Sequence, residues 1–489
     1  MHIPTLKVQH IHFVGIGGIG MSGIAEVLHN LGYLVKGSDV SENYNTQRLQ
    51  NLGIKIALGH HPQNIQGAQV VVVSSAVRAD NCEVLAARNL GIPVIQRAEM
   101  LAELMRLKRS IAVSGTHGKT TTTSLIAALL DVAGLDPTVI NGGIINAYHT
   151  NARLGLGDWT VVEADESDGS FTKLPATLAI VTNIDPEHME FYGTLDSLKQ
   201  AFLRFLSNIP FYGLAILCAD HPNVRALFPL ITDRRVVTYG FEETAMIRAV
   251  NLRQTPTSTL FDVEIARPLP SYTAFLNPSH VIALPRKLKN LCLPMVGRHN
   301  VQNALAVIAV ADELGLKEAT IRQAFETFKG VKRRFTCVGV VHDVAIIDDY
   351  AHHPVEIRTV IQAAQQACQG NLWVVMQPHR YTRLSHLFQD FTECFEGAAC
   401  VILAPVYSAN EEPIEGATSE SLALALEQKG MKTCLVQEQK ELAPLLKTII
   451  HPGDMILCLG AGNITQWAAA LPEQLKALGI PSFECEQAL

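Results

Sequence analysis

Short apolar runs recur along the chain, each followed by glycines or polar residues and then by a stretch with helical spacing of its apolar positions. Such runs lie at His10–Val14, Tyr33–Gly37, Ala68–Val73 and Gly91–Ile95, then at Ile111–Val113, Trp159–Val162 and Leu178–Ile184. A last set lies at Val344–Ile347, Leu372–Met376, Val401–Leu403 and Met455–Leu459. Runs apolar on both faces predict strands buried on both sides, and their alternation with helices predicts parallel sheets. The section 233–293 breaks the rhythm. Its short β-prone pieces, Val236–Tyr239, Thr259–Ile265 and His280–Leu284, stand among prolines and predict an antiparallel appendage. Val296 then leads into a long helix through Leu314, whose first polar residues either contact a nucleoside or cap the helix. Joints near 109 and 331 divide this α/β chain into three domains. They are 1–108, Rossmann-like; 109–330, a P-loop-type mononucleotide-binding sheet with the small β appendage; and 331–489, again Rossmann-like.

Ligands of open α/β sheets sit beyond the carboxyl ends of the strands, so the chemistry is sought there. The run Ile111–Ser114 enters Gly115-Thr116-His117-Gly118-Lys119-Thr120-Thr121 and leaves as a helix rich in Leu, Ile and Ala. A helix start offers unpaired N–H groups and the positive end of the dipole, which favour an anion. Gly115 and Gly118 let the backbone approach phosphates, Lys119 adds a point charge, and the Thr120 hydroxyl reaches a Mg²⁺. The longer P-loop pattern asks for glycine where Val113 stands, and the plain alternative is a Thr-capped helix with a solvated lysine. The strand–Gly–Lys–Thr–helix context favours the phosphate. At the N-terminus Gly15, Gly17 and Gly20 match Gly-x-Gly-x-x-Gly, with Gly18, Met21 and Ser22 in the same turn and Asp39 nineteen residues past Gly20. Taken alone, this is the fingerprint of an NAD enzyme. A UDP-sugar carries the same diphosphate and ribose, so the motif specifies a diphosphate more firmly than a cofactor. Ser74 and Ser75 end the next strand and either line that crevice or cap a turn.

Carboxylates cluster after Trp159–Val162 at Glu163, Asp165, Glu166 and Asp168, either as a solvated loop or, given the P-loop before them, as a source of a Mg²⁺ ligand, for which Glu163, leaving the strand directly, is the candidate. His188 follows another strand, as ligand or as structural hydrogen-bonder. Asp348-Asp349-Tyr350-Ala351-His352-His353 suits a metal, a base or a substrate amine, and no further ligands complete a zinc site. Arg380 and Arg383 suit a carboxylate or phosphate clamp.

Composition narrows the class. Apolar residues make up 48% and charged residues 17%, the balance of an ordered globular protein. A net charge of −7 gives no footprint for nucleic acid. The ten cysteines are scattered without Cys-x-x-Cys, as in a cytoplasmic protein with reduced thiols. Ile11–Ala25 imitates a signal-peptide core, but five glycines break it and only Lys7 precedes it, and no run is apolar enough for membrane insertion.

Taken together these segments resemble the Mur ligase family. The carrying stretches are His12–Gly23, Gly115–Thr121, Glu163–Asp168, Thr182–Ile184 with His188, Gly297–Asn300, Asp348–Pro354 and Gln377–Arg383, in the family's order along nearly the whole chain. The family's P-loop is also short, which accounts for Val113. The resemblance implies three domains, for UDP-N-acetylmuramate, ATP and an amino acid. It implies ATP-dependent amide formation through an acyl phosphate, in peptidoglycan precursor synthesis, with Mg²⁺ as the metal and Mn²⁺ able to replace it. It puts Thr120, Glu163 and His188 on the metal, and Asn183, His299, Asn303 and Arg334 with the P-loop around ATP. It gives Lys119, His188, His352, Arg380 and Arg383 the catalytic roles, and the Gly15–Ser22 turn, Asp39, Ser74 and Ser75 the UDP-sugar. Several members hold a second metal on a carbamylated lysine, where this chain has Phe202. The run at 15–22 looks like the branch that adds L-alanine rather than the recycling branch that adds a peptide. An NAD oxidoreductase would leave the P-loop idle, and a plain P-loop ATPase would leave the third domain unexplained. A homodimer is compatible with the sequence, which does not fix the oligomeric state.

Overall fold

The computed structural model describes residues 8–74, 76–255, 257–266, 286–409 and 411–479. Three mostly parallel sheets organise them. The first contains β1 (His10–Val14), β2 (Leu34–Asp39), β3 (Lys55–Leu58), β4 (Val70–Val73) and β5 (Val94–Gln96), in the order β3-β2-β1-β4-β5. All its pairs are parallel. The four valines of β4 are all buried, as a strand covered on both faces requires.

The central sheet has ten strands: β6 (Arg109–Ser114), β7 (Thr138–Ile145), β8 (Thr150–Arg153), β9 (Trp159–Glu163), β10 (Leu178–Val181), β11 (Leu214–Cys218), β12 (Val236–Gly240), β13 (Ile247–Gln254), β14 (Thr259–Ile265) and β15 (Arg286–Leu293). Their order is β15-β14-β13-β12-β11-β10-β6-β9-β7-β8. The strand β6 lies between β10 and β9, so the loops that leave these three strands converge on the turn after β6. The predicted antiparallel appendage needs correction here. Val236–Tyr239 belongs to β12, which pairs in parallel with β11 and β13 and continues the main sheet. Thr259–Ile265 is β14 as expected, its alternating burial matching a strand with one wet face. His280–Leu284 lies outside the described residues. The third sheet contains β16 (Thr336–Val341), β17 (Val344–Asp349), β18 (Leu372–Met376), β19 (Cys400–Leu403), β20 (Thr433–Leu435) and β21 (Met455–Leu459), ordered β16-β17-β21-β18-β19-β20 with only β16–β17 antiparallel.

The described chain forms two compact units: Met1–Val250 with Asp262–Leu291 and Gln302–Lys329, and Asn251–Phe261 with Cys292–Val301 and Gly330–Leu489. In the first unit one apolar core is continuous from Phe13, Ile24 and Leu28 to Ala112, Ile140, Phe171 and Phe205. Phe202 belongs to it, edge-on to Phe171 at 5.0 Å between ring centres. Polar locks reinforce the join between the first two sheets. Asn151 Nδ2 donates to Ile19 O at 2.6 Å, and Arg48 reaches Asn151 Oδ1 at 3.0 Å. In the second unit apolar clusters cover both faces of the third sheet, one around Val374 and Phe391 and one around Val375 and Trp467.

A buried polar cluster under β1 fixes the first sheet's loops. Glu83, fully buried, accepts hydrogen bonds from His12 Nε2 (2.8 Å), Ser38 Oγ (2.7 Å), His61 N (3.0 Å) and Asn64 Nδ2 (2.6 Å). Burial alone would raise its pKa. The donors from His12, Ser38 and Asn64 outweigh burial and bring it down to about 2. A folded-state pKa beneath the unfolded value of about 4.3 means stabilisation that is complete above that value and lost as pH falls toward 2. The Glu83→Gln variant is therefore expected to be less stable than the parent at pH 7, and to lose less stability between pH 5 and pH 2 than the parent does, as read by urea denaturation at each pH.

Candidate active site

The turn after β6 is shaped by two glycines. Gly115 has φ +131° and Gly118 has φ +82°. A Cβ on Gly115 would run into Thr182 Oγ1, and one on Gly118 would stand 2.5 Å from Asn303 Oδ1, so neither position tolerates a side chain. Asn183 holds the turn from outside. Its Oδ1 accepts from His117 N at 2.7 Å and its Nδ2 donates to His117 O at 3.0 Å. Thr182 Oγ1 donates to the same carbonyl at 2.6 Å. His117 and His221 both reach Asp185, at 3.4 and 3.2 Å. Burial works against that carboxylate's charge, yet the two hydrogen bonds hold its pKa far below the usual range.

Lys119 opens the helix Lys119–Val132. Its Nζ donates to Gly115 O (2.6 Å), Thr116 O (3.0 Å) and Glu166 Oε1 (3.0 Å), so its three donors are satisfied. Burial acts to lower the lysine's pKa, but Glu166, Glu163 and Asp165 outweigh it and the ammonium is held firmly. Glu166, nearly sealed from solvent, is pushed the other way: burial, with Asp165 adding to it, raises the carboxyl above its ordinary range against the pull of Lys119. Thr120 and Thr121 are buried in the first turn of the helix, and Thr116 Oγ1 accepts from Asp185 N at 2.9 Å.

Glu166, Glu187 and His188 bring one ligand atom each to within 4.8 Å of one another. Two carboxylates and an imidazole suit a divalent cation such as Mg²⁺ or Mn²⁺. His188 sits there through a left-handed backbone, φ +58°, at the start of the helix Met189–Tyr192. Glu163 is turned elsewhere, its Oε2 accepting from Gly142 N at 2.8 Å. The structure thus groups His188 with Glu166 and Glu187 rather than with Glu163.

In the glycine turn of the first sheet, Asp39 ends β2 and accepts from Gly17 N at 2.8 Å. Met21 is packed in the core, and Ser22 Oγ donates to Ile19 O at 3.0 Å. Ser74 Oγ accepts from Ala76 N at 3.4 Å, the turn-capping arrangement, and Ser75 lies outside the described residues. Gly15 and Gly18 are closed into the turn by Gly15 N to Ser38 O (2.9 Å) and Gly18 N to Gly15 O (3.3 Å).

The second unit gathers a second group of polar side chains at the ends of β17 and β18. His352 Nδ1 lies 2.9 Å from Tyr350 O; a carbonyl only accepts, so Nδ1 carries the proton and Nε2 the lone pair in the neutral ring. His352 meets His379 edge-on at 5.8 Å, and His379 stacks on Tyr407 at 5.4 Å. Burial, with His352, Arg383 and Arg380 nearby, lowers His379 to about 3. Burial and Arg334 lower His299 to about 4. Both rings are therefore neutral at pH 7. Arg380, with φ +69°, keeps its side chain half exposed. Glu411 stands 4.0 Å from it and accepts from Thr382 N and Oγ1 at 3.0 and 2.8 Å. Arg333 and Arg334 lie over the Tyr350 ring at 4.8 and 5.4 Å.

Family models cover most of the chain in three consecutive pieces. Residues 10–109 match the catalytic domain of the Mur ligase family, 113–311 its middle domain, and 333–462 its glutamate ligase domain. The chain belongs to the Mur ligase family. It is similar to the UDP-N-acetylmuramate–L-alanine ligase of Paramagnetospirillum magneticum, 56% identical over 483 residues, which cover 99% of each chain. The corresponding ligase of Rhizobium meliloti is 56% identical, covering 95% of this chain and 96% of its own. Among solved structures, the UDP-N-acetylmuramate–alanine ligase of Thermotoga maritima superposes with a TM-score of 0.78 at 30% identity, covering 96% of this chain and 99% of that one.

In this Mur ligase, the first unit brings together Gly115–Thr121, Asn183, His188 and Asn303. The second carries His299, Arg334, His352, Arg380 and Arg383. Sequence reasoning passed over Glu187, although it stands beside His188 at the end of a strand, and treated Glu166 only as one of four clustered acids. It also passed over His379 and Glu411. The neighbours of Arg380 and Thr382 could have pointed to His379, whereas Glu411 comes from a distant loop and leaves no local signal. The capacity of the Glu166–Glu187–His188 group for a divalent cation is checked with Mn²⁺ and the spin-resonance signal of the unbound ion. His188→Ala is expected to weaken binding about tenfold or more, and an unchanged affinity would take His188 off the metal.

Proposed function

We infer that this Mur ligase joins L-alanine to the lactyl carboxylate of UDP-N-acetylmuramate at the expense of ATP, in the cytoplasmic synthesis of peptidoglycan precursors. The observation that carries this reading is 56% identity to a UDP-N-acetylmuramate–L-alanine ligase across 99% of both chains. The domain roles follow: residues 1–108 hold the UDP-sugar, 109–330 hold ATP and 331–489 hold the amino acid.

The carboxylate of the sugar's lactyl group attacks the γ-phosphorus of ATP. The P–O bond to ADP breaks, and an acyl phosphate forms. What this step needs is alignment and charge neutralisation, which fixed positive groups supply without reorganisation. Lys119, already desolvated and aimed by three acceptors, provides one such charge. Asn183 and Thr182 keep the turn's backbone in place through His117 O. The carboxylates of Glu166 and Glu187 with His188 fit Mg²⁺, and Thr120, which follows Lys119 in the first turn of its helix, is a further candidate ligand. When bound, such an ion neutralises phosphate charge. The amine of alanine next attacks the acyl carbon, and inorganic phosphate leaves as the amide forms. Arg380 and Arg383 suit the amino acid's carboxylate, and His352 is the candidate to take a proton from the attacking amine.

Phosphate release is expected only when ATP, UDP-N-acetylmuramate and L-alanine are all supplied. Release that ignores the amino acid would indicate a plain ATPase, and turnover with a tripeptide alone would indicate a recycling ligase. Lys119→Ala is expected to lower kcat by a factor on the order of 100 to 1,000 while UDP-N-acetylmuramate still binds by calorimetry, because the two ligands use different domains. Arg380→Ala is expected to raise KM for L-alanine about tenfold and leave KM for ATP alone; the reverse pattern would move Arg380 out of the amino-acid site.

A further inference from the structure

Arg97, the first residue of the helix Arg97–Arg106, stands where the glycine turn of the first sheet meets the carboxylates at the end of β9. Its Nη2 donates to Asp165 Oδ2 at 3.0 Å. The rest of the guanidinium crosses the second residue of the helix Ile19–Asn30: a Cβ on Gly20 would lie 2.8 Å from Nη1 and 3.2 Å from Cδ. Any other residue at position 20 would displace the arginine, so the bare Cα is what admits the cation to the turn. The Arg97 side chain is only 15% exposed, and a guanidinium has five N–H donors, more than one carboxylate oxygen can use.

The charges around it give this placement a purpose. Glu163, Asp165, Glu166 and Asp168 crowd the end of β9, and Lys119 is engaged with Glu166. Arg97 pairs with Asp165 through Nη2 and keeps Nη1 beside Gly20, at the start of the helix Ile19–Asn30 where an anion is favoured. We propose that Arg97 is a substrate-binding residue that grips the diphosphate of the UDP-sugar through Nη1, while Asp165 is a positioning residue that holds Nη2. This rests on the reading above that the substrate is UDP-N-acetylmuramate. The planar fork spans Asp165 and the glycine turn at once, and a lysine in its place can serve one or the other.

Steady-state kinetics of the full chain tests the proposal, with UDP alone as a competing probe that has the diphosphate but neither sugar nor lactyl group. Arg97→Ala is expected to raise KM for UDP-N-acetylmuramate about tenfold or more and to weaken inhibition by UDP by a similar factor, with KM for ATP within about twofold of the parent. Arg97→Lys is expected to recover part of this loss, and Gly20→Ala to reproduce it by pushing the guanidinium aside. Asp165→Asn is expected to raise KM for the UDP-sugar severalfold without moving KM for ATP. An unchanged KM in Arg97→Ala would overturn the assignment. So would a raised KM with unaltered UDP inhibition, which would move the contact to the lactyl carboxylate, or an equal loss for ATP, which would make the role structural. Should Arg97→Ala not fold, Arg97→Lys and Gly20→Ala carry the same comparison. A parent enzyme that releases no phosphate with all three substrates would sink the functional reading instead, so the two failures are distinguishable.

Discussion

The first unit depends on a buried charge that has to be satisfied before any nucleotide arrives. Lys119 lies at a helix start, out of water, where an unpaired ammonium would cost several kcal/mol. The turn solves this by folding its own carbonyls, Gly115 O and Thr116 O, onto Nζ and by bringing Glu166 from the end of β9. That arrangement dictates the rest. The carbonyls can point inward only because Gly115 and Gly118 take left-handed backbone angles and leave room for Thr182 and Asn303. The turn cannot relax because Asn183 clasps both polar groups of the His117 backbone. On the proposed function, a cation so held would lose little freedom when phosphate oxygens take over from the carbonyls, which is the condition for electrostatic preorganisation.

The same logic of paired charge ties the first sheet to the central one. Arg97, paired with Asp165, packs against Gly20 of the helix Ile19–Asn30, and Arg48 joins that helix's Glu26 to Asn151. Between them the apolar core is continuous. Each polar lock alone is worth little at a surface, but these are partly desolvated and share a hydrophobic seam, so they fix direction where the seam supplies most of the free energy. The start of one Gly-rich helix is thereby set in register with the carboxylates beside the other.

The sheets were legible wherever burial on both faces wrote an unbroken apolar run, as at β4, β6, β10 and β21. They were less legible where one face is wet. β13 and β15 carry arginines, lysines and asparagines among their apolar positions and do not stand out as apolar runs, and the prolines of that section put Val236–Tyr239 in an antiparallel appendage although β12 lies within the main sheet. At the site, the motif residues came out where spacing put them, since a strand–turn–helix fixes backbone positions. What the spacing did not fix is which way each side chain turns. Asp39 sits where a ribose ligand was expected and braces Gly17 N; Glu163 leaves the strand first yet turns to Gly142; Glu166, three residues on, turns inward. These choices are made by long-range neighbours, the β7 backbone for Glu163 and the P-loop ammonium for Glu166, and no local pattern encodes them.

In the second unit the division of labour between arginines and histidines follows from desolvation. On the function proposed above, a site for an amino acid here needs permanent positive charge for the carboxylate and lone pairs for the ammonium. A charged His379 would stand against the guanidinium groups of Arg380 and Arg383 and, on the proposed function, would repel the ammonium of the amino acid. Burial beside Arg380, Arg383 and Arg334 removes that conflict by keeping both rings neutral across the physiological range. The guanidinium groups, delocalised cations, retain their charge. Packing histidines against arginines, costly as it looks on a list of charges, therefore sets neutral rings beside permanent cations. Under the proposed function, that arrangement would let a zwitterion be bound by its carboxylate while its nitrogen, once deprotonated, acts as the nucleophile.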